Sequence, residues 1–164
     1  MSQECSFDIV SKVDLQEVDN AVQQTMKEIR TRYDFKGSIA EVSRNDNALT
    51  IHAEDQFRLK SVVEILNQRL AKRAVPLKGV KFGESKESSG GTVTQIADLQ
   101  QGITSDQARE IVKIIKSHKS KAQPTIMGDQ LRVKAKSRDE LQTVISYLRD
   151  QNLEFDIQFT NYRP

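Results

Sequence analysis

Residues Asn45–Leu70, NDNALTIHAEDQFRLKSVVEILNQRL, hold a turn, a strand and a helix in that order. Asn and Asp tolerate positive φ, so Asn45-Asp46-Asn47 reads as a hairpin turn. From Ala48 to Ala53, Leu49, Ile51 and Ala53 alternate with Thr50 and His52, which predicts a half-buried strand. Glu54 and Asp55 stand where acidic side chains favour a helix start. Leu59, Val62, Val63, Leu66 and Leu70 then line one helical face, and Pro76 precludes its continuation. The same order recurs at Gly128–Leu148, GDQLRVKAKSRDELQTVISYL. There Gly128-Asp129 makes the turn, Leu131, Val133 and Ala135 alternate, Ser137 with Glu140 forms a capping box, and Leu141, Val144, Ile145 and Leu148 follow at helical spacing.

Outward from these two stretches the match continues. Ser38–Arg44 and Lys121–Met127 are the strands that enter the two hairpins. Before them come helices opened by Asp14, with Leu15, Val18, Val22, Met26, Ile29 and Tyr33 in one stripe, and by Thr104 with Gln107, with Ala108, Ile111, Val112 and Ile115 inside. Gly37 suits the end of the earlier helix. Strands Cys5–Val13 and Thr92–Leu99 precede those helices, and Val80–Phe82 and Glu154–Phe159 close each copy, the latter alternating Phe155, Ile157 and Phe159 against Glu154, Asp156 and Gln158. The chain is therefore a duplicated strand–helix–strand–strand–helix–strand unit. The fold class is α+β: two tandem ferredoxin-like βαββαβ domains, helices on one face of an antiparallel sheet and the other face open. The boundaries are 1–83 for the first unit, 84–91 for a Gly/Ser-rich linker and 92–164 for the second.

Composition narrows the function classes. The 164 residues include no Trp and 5% aromatics, so stacking platforms are sparse. Cys5 alone cannot form an internal disulfide, which fits a reducing compartment, and its place in the first strand suits a small half-buried side chain. Charges at Glu4, Asp8, Lys12, Asp14 and Glu17 exclude a signal-peptide core, and no apolar run approaches ~18 residues. A soluble, cytoplasmic protein is expected.

Charge is polarised. Residues 109–138 carry Arg109, Lys113, Lys116, Lys119, Lys121, Arg132, Lys134, Lys136 and Arg138 against Glu110 and Asp129, whereas the whole chain is only +2. That suits an anionic partner: a nucleotide, a nucleic acid such as tRNA or DNA, or an acidic protein; a solvated surface is the plainer alternative. In the second hairpin strand Arg132, Lys134 and Lys136 are expected to point away from the helices. Thr50, His52, Arg132 and Lys134 hold the outward positions where RNA-recognition modules place base-stacking aromatics, so readout in that manner is disfavoured. The segment Thr31–Gly37, TRYDFKG, groups Arg32, Tyr33 and Lys36, which could grip phosphate and stack a base. The same residues could simply cap the helix, with Tyr33 and Phe35 as core plugs. His52 and His118 lie in different units and no ligand spacing occurs, so no metal is expected. No phosphate-loop motif and no nucleophile with its base is present, so catalysis and a cofactor are not expected.

Several strings, SFDIVS at Ser6–Ser11, TRYDFKG at Thr31–Gly37, KSRDELQ at Lys136–Gln142 and FTNYR at Phe159–Arg163, closely resemble the YajQ family of bacterial proteins over the whole chain. The resemblance implies tandem RNP-type domains that exchange first strands, with 5–13 completing the second sheet and 92–99 the first. It also implies nucleotide binding, and in some members a cyclic-di-GMP effector acting with a transcription regulator or DNA. The two phosphates of a cyclic dinucleotide suit the basic strand Arg132–Lys136. Pro124 departs from a regular sheet, because a missing N–H fits only an edge or bulge. The candidate ligand-binding residues are Arg32, Tyr33, Lys36, Arg132, Lys134, Lys136 and Arg138.

Overall fold

The computed structural model describes residues 4–88, 90–118 and 121–164. Its elements are β1 (Cys5–Val10), α1 (Leu15–Thr31), β2 (Glu41–Asn45), β3 (Ala48–Ala53), α2 (Gln56–Lys72), β4 (Val80–Phe82), β5 (Lys86–Glu87), β6 (Val93–Leu99), α3 (Ser105–Ser117), β7 (Gln123–Met127), β8 (Gln130–Ala135), α4 (Arg138–Arg149) and β9 (Gln158–Arg163). A short 3₁₀ turn, Tyr33–Phe35, follows α1. The helices start where side chains can satisfy free backbone N–H groups. Asp14 accepts from Gln16 and Glu17, Asp55 from Arg58, and Ser137 from Glu140, while Thr104 and Gln107 bond reciprocally.

Strand pairing is antiparallel throughout and makes two sheets, β7-β8-β1-β9 and β2-β3-β6-β4, with β5 also paired to β6. Both orders are ferredoxin-like when β1 is counted with α3, β7, β8, α4 and β9, and β6 with α1, β2, β3, α2 and β4. The compact units follow the sheets and not the sequence halves. One is split, formed by the chain up to Lys12 together with Gln101–Pro164; the other is continuous, Val13–Gln100. Each has its own helix–sheet core. The split unit buries Phe7, Ile9, Leu131, Val133, Ile111, Leu141 and Leu148, and the continuous unit buries Leu49, Ile51, Val18, Val62, Leu66 and Leu70.

The chain passes between units at Lys12–Val13 and Gln100–Gln101. Stretch 84–91 is therefore no linker: it lies between β4 and β6 of one sheet, and Lys86 and Glu87 pair with Thr94 and Val93. Ser89 within it is outside the described residues. The first strand stops at Val10, three residues short of the predicted end. Ser38–Arg44 is in strand only from Glu41. Tyr33 leaves the α1 stripe because the helix ends at Thr31, and its ring is 89% exposed, whereas Phe35 is buried. Pro124 sits on β7, an edge strand, the part of a sheet where a residue without an N–H is tolerated.

The closing strand falls later than its alternation predicts. Gln158–Arg163 is the strand, and residues 154–157 lie outside it. Phe155 is nonetheless buried in the split-unit core. Cys5 is also buried in that core, more fully than half.

Candidate functional site

A pleated strand sends successive side chains to opposite faces, so the pairing register fixes which residues share the face away from the helices. In the split unit that face is a grid of rows. Lys134, Ser6 and Arg163 lie across β8, β1 and β9 in one row, with Gln123 beyond Lys134 on β7. Arg132, Asp8 and Thr160 form the next row, with Thr125 on β7. Nearly every side chain here is polar.

Asp8 occupies the centre. It is only 1% exposed, although it faces away from the helices. Its cover comes from distant parts of the chain. Arg132 Nε donates to Oδ1 at 3.1 Å, Arg163 Nη1 to Oδ1 at 3.2 Å, Arg163 Nη2 to Oδ2 at 2.9 Å, and Asn161 Nδ2 to Oδ2 at 3.0 Å. The Arg163 guanidinium holds this carboxyl far below the usual carboxylate range, outweighing the opposing effect of burial, and Asn161 and Arg132 add to the lowering. Arg163 in turn is raised by Asp8.

A β-bulge makes this arrangement possible. The register slips between Ser6↔Arg163 and Asp8↔Thr160, and Asn161 takes φ 55° within the extra residues. Asn is among the few side chains that tolerate this conformation. The bulge delivers Asn161 and Arg163 to Asp8. Tyr162 goes to the opposite face, where it stacks on Phe7 with ring centroids 6.3 Å apart and its hydroxyl accepts from Gln142 Nε2 at 2.9 Å. Arg163 Nη1 also donates to Ser6 Oγ at 3.1 Å.

Arg132 spends only its Nε on Asp8, and its two terminal amino groups have no partner among the described residues. Lys134 is exposed and forms no ion pair among the described residues. Lys136 and Arg138 are exposed just past the strand, at the start of α4. The basic run is not one patch. Arg109, Lys113 and Lys116 are exposed on α3, in the helix layer, whereas Arg132 and Lys134 lie on the opposite face of the sheet. Lys119 is outside the described residues. Contiguity in sequence hid the change of face at the hairpin.

Arg32, Tyr33 and Lys36 belong to the continuous unit. Arg32 is consumed locally: Nε and Nη2 grip Asp34 at 3.0 and 2.8 Å, Nη1 reaches Glu28 at 3.5 Å, and the guanidinium lies over Phe35. Asp34 raises Arg32 and is itself lowered by it. Tyr33 and Lys36 remain exposed. The open face of this unit's sheet carries Ser43, Thr50, Ile96 and His52, and His52 Nδ1 is 2.9 Å from Thr94 Oγ1. Two grooves lie on the helix layers. One of about 380 Å³ is lined by His118, Gln142, Tyr147 and Asp150, and one of about 370 Å³ by Gln24, Lys27, Glu28 and Arg69. Among the described residues no three His, Cys, Asp or Glu side chains gather as a metal site, and no helix is long and apolar enough to cross a membrane.

The residues that charge counting missed are Ser6, Asp8, Thr160, Asn161 and Arg163. The available signal was an Asp inside the otherwise apolar strand CSFDIV, which needs a partner if it is buried.

Comparison with known proteins covers the whole arrangement. Residues 5–163 match the family model described as nucleotide-binding protein YajQ-like. A nucleotide-binding protein of Koribacter versatilis is 49% identical over 158 residues, 96% of each chain. One of Alkaliphilus oremlandii is 47% identical over 163 residues, 99% of this chain and all of the relative, and one of Solibacter usitatus is 49% identical over 160 residues. Both strings that meet at Asp8, SFDIVS and FTNYR, fall inside the matched span. The chain belongs to the YajQ-like family of nucleotide-binding proteins.

Proposed function

We propose that this chain is a non-catalytic nucleotide-binding protein that takes the phosphates of a nucleotide or a cyclic dinucleotide, cyclic-di-GMP included, on the helix-free face of the β7-β8-β1-β9 sheet. The bound state is relayed to a protein or DNA partner. The observation that carries this reading is the pair Arg132 and Lys134, two residues apart on one strand. Among the described residues, one has guanidinium amino groups without a partner, and the other is an ammonium without an ion pair. Phosphate oxygens are met by such donors through charge-assisted hydrogen bonds. The relatives' names, which specify nucleotide binding and no reaction, agree with it. Catalysis is disfavoured by the state of Asp8, the one buried carboxylate among the described residues. Each of its oxygens already accepts two hydrogen bonds, which leaves it no capacity to take a proton from a substrate. Lys136 and Arg138 add positive charge where the strand leads into α4.

A thermal-shift panel of nucleotides and cyclic dinucleotides at millimolar concentration tests the class of ligand, since a ligand that binds only the folded chain raises its melting temperature. Lys134→Glu with Lys136→Glu then weakens the stabilising ligand in calorimetry; unchanged affinity removes the basic strand from the site.

Tyr33 favours a second reading. An aromatic ring 89% exposed beside Lys36 is what a base-stacking contact to tRNA or another single strand uses. Binding by that route falls steeply with salt as counterions are released, and a flat salt response counts against it.

A further inference from the structure

Resting on the nucleotide-binding reading, we infer that the phosphate is held in a cradle of three cations, Arg132, Lys134 and Arg163, drawn from two strands and set around the Ser6–Asp8 floor supplied by a third. The basic strand alone does not make this site, because the C-terminal strand contributes a ligand and the N-terminal strand contributes the residues that aim it.

The register brings the parts together. Ser6 is the Cα partner of both Lys134 and Arg163, so their side chains flank it on the same face. Arg132 follows one row on, beside Asp8. Neighbouring strands are about 4.8 Å apart and alternate residues about 7 Å apart, so three long cationic side chains rooted here can converge on one oxyanion. The two arginines are oriented before any ligand arrives. Arg163 is tied by Nη1 to Ser6 Oγ and Asp8 Oδ1, and by Nη2 to Asp8 Oδ2, which leaves its Nε–H and one Nη2 hydrogen for an anion. Arg132 is tied by Nε alone and keeps both Nη groups. Asp8 does not repel the ligand outright, since its charge is matched by two guanidiniums and its oxygens are saturated. Three cations against one carboxylate leave a surplus of two, the charge of a terminal phosphate.

Asp8 is thus a positioning residue, and Arg163 a binding residue. Lys136 and Arg138 lie past the end of β8, outside the rows, and contribute only through the field around the site.

The test uses the full chain labelled with ¹⁵N. The Nε–Hε signals of the arginines are followed during titration with GDP, cyclic-di-GMP and sodium pyrophosphate. The expected result is saturable movement of the Arg132 and Arg163 signals by GDP or cyclic-di-GMP, with pyrophosphate moving the same signals more weakly. Arg163→Gln lowers the affinity at least tenfold. If that variant loses its fold, Lys134→Gln, an exposed change, must weaken the same ligand to a similar extent. A nucleotide that binds while both arginine signals stay in place, or that binds Lys134→Gln with unchanged affinity, overturns the cradle and leaves the nucleotide-binding reading intact. Absence of any binding by all three probes at millimolar concentration overturns both.

Discussion

Replacing Asp8 by Asn keeps the size of the side chain and removes the charge on which two guanidiniums lean. Asn retains one oxygen, while its amide nitrogen now faces donors from Arg163 and Asn161 or from Arg132 and Arg163. Hydrogen bonds to charged groups contribute about 1.5–3 kcal/mol each. Two are lost at the oxygen that becomes nitrogen, and the others weaken with the charge. Against this, both arginine side chains reach solvent, at 30% and 42% exposure, and can be rehydrated. A net loss of about 2–3 kcal/mol follows, well short of the full cost of an orphaned buried charge, which runs to ~3–5 kcal/mol. For a chain of this size that is a fall of about 4–12 °C in Tm. Urea unfolding of both proteins from pH 7 downward is the assay. The Arg163 guanidinium holds the folded-state pKa of Asp8 well below the ordinary 3.8, so its contribution is fully present above about pH 5 and is lost progressively as pH falls below that. The gap between wild type and Asp8→Asn is therefore constant between pH 5 and 7 and narrows in acid. A gap below 1 kcal/mol at pH 7, or one that does not narrow in acid, refutes the reasoning.

Tyr33→Ala leaves stability within about 0.5 kcal/mol, because a side chain 89% exposed contributes little to the fold; any loss of nucleic-acid retention by this variant, measured by fluorescence anisotropy, therefore reports a ligand contact. Gly102→Ala destabilises by more than 1 kcal/mol in thermal unfolding. Its φ of 108° is unsuited to a side chain, and a Cβ there would stand 2.7 Å from Asp129 Oδ2.

Elements with local causes were legible from the residues. Leu131, Val133 and Ala135 alternate because one sheet face is buried, and Thr104 with Gln107 states a helix start within four residues. The closing strand was not. Phe155, Ile157 and Phe159 keep period two, yet Phe155 reaches the core from outside the strand, so burial imitated an extended backbone. Asn161's positive φ, which sets the true register, leaves no mark on hydrophobic pattern. Asp8 reads as a solvent-facing strand residue because its partners lie 124, 153 and 155 positions away. The Gly/Ser composition of 84–91 suggested a linker between units, but composition does not say whether such a stretch joins units or strands, and Lys86–Glu87 within it pairs with β6. Pairing partners were likewise beyond local reading: β1 and β6 carry similar alternation, and only non-local contacts decide which sheet each enters.

That last point makes the two units unequal in a way that tandem repetition conceals. The continuous unit, Val13–Gln100, holds all four strands of its sheet order together with both helices, and every buried member of its core comes from within that span. It is a ferredoxin-like unit whose first strand has moved to its end, inserted into the β1–α3 connection of the other. The split unit has no such independence. Fragment 101–164 lacks β1, the strand paired to both β8 and β9, and with it the fully buried Phe7 and Ile9. Burial of those two side chains alone is worth about 1.5–3 kcal/mol each. The lost ladder and the uncovered Asp8 partners add to that, against a total stability of about 5–15 kcal/mol for a domain. Residues 13–100 expressed alone are therefore expected to unfold cooperatively, whereas 101–164 shows no cooperative transition until a peptide spanning residues 4–12 is added and restores one. Cooperative folding of 101–164 without the peptide, or a disordered 13–100 fragment, would show that unit integrity does not follow the sheets.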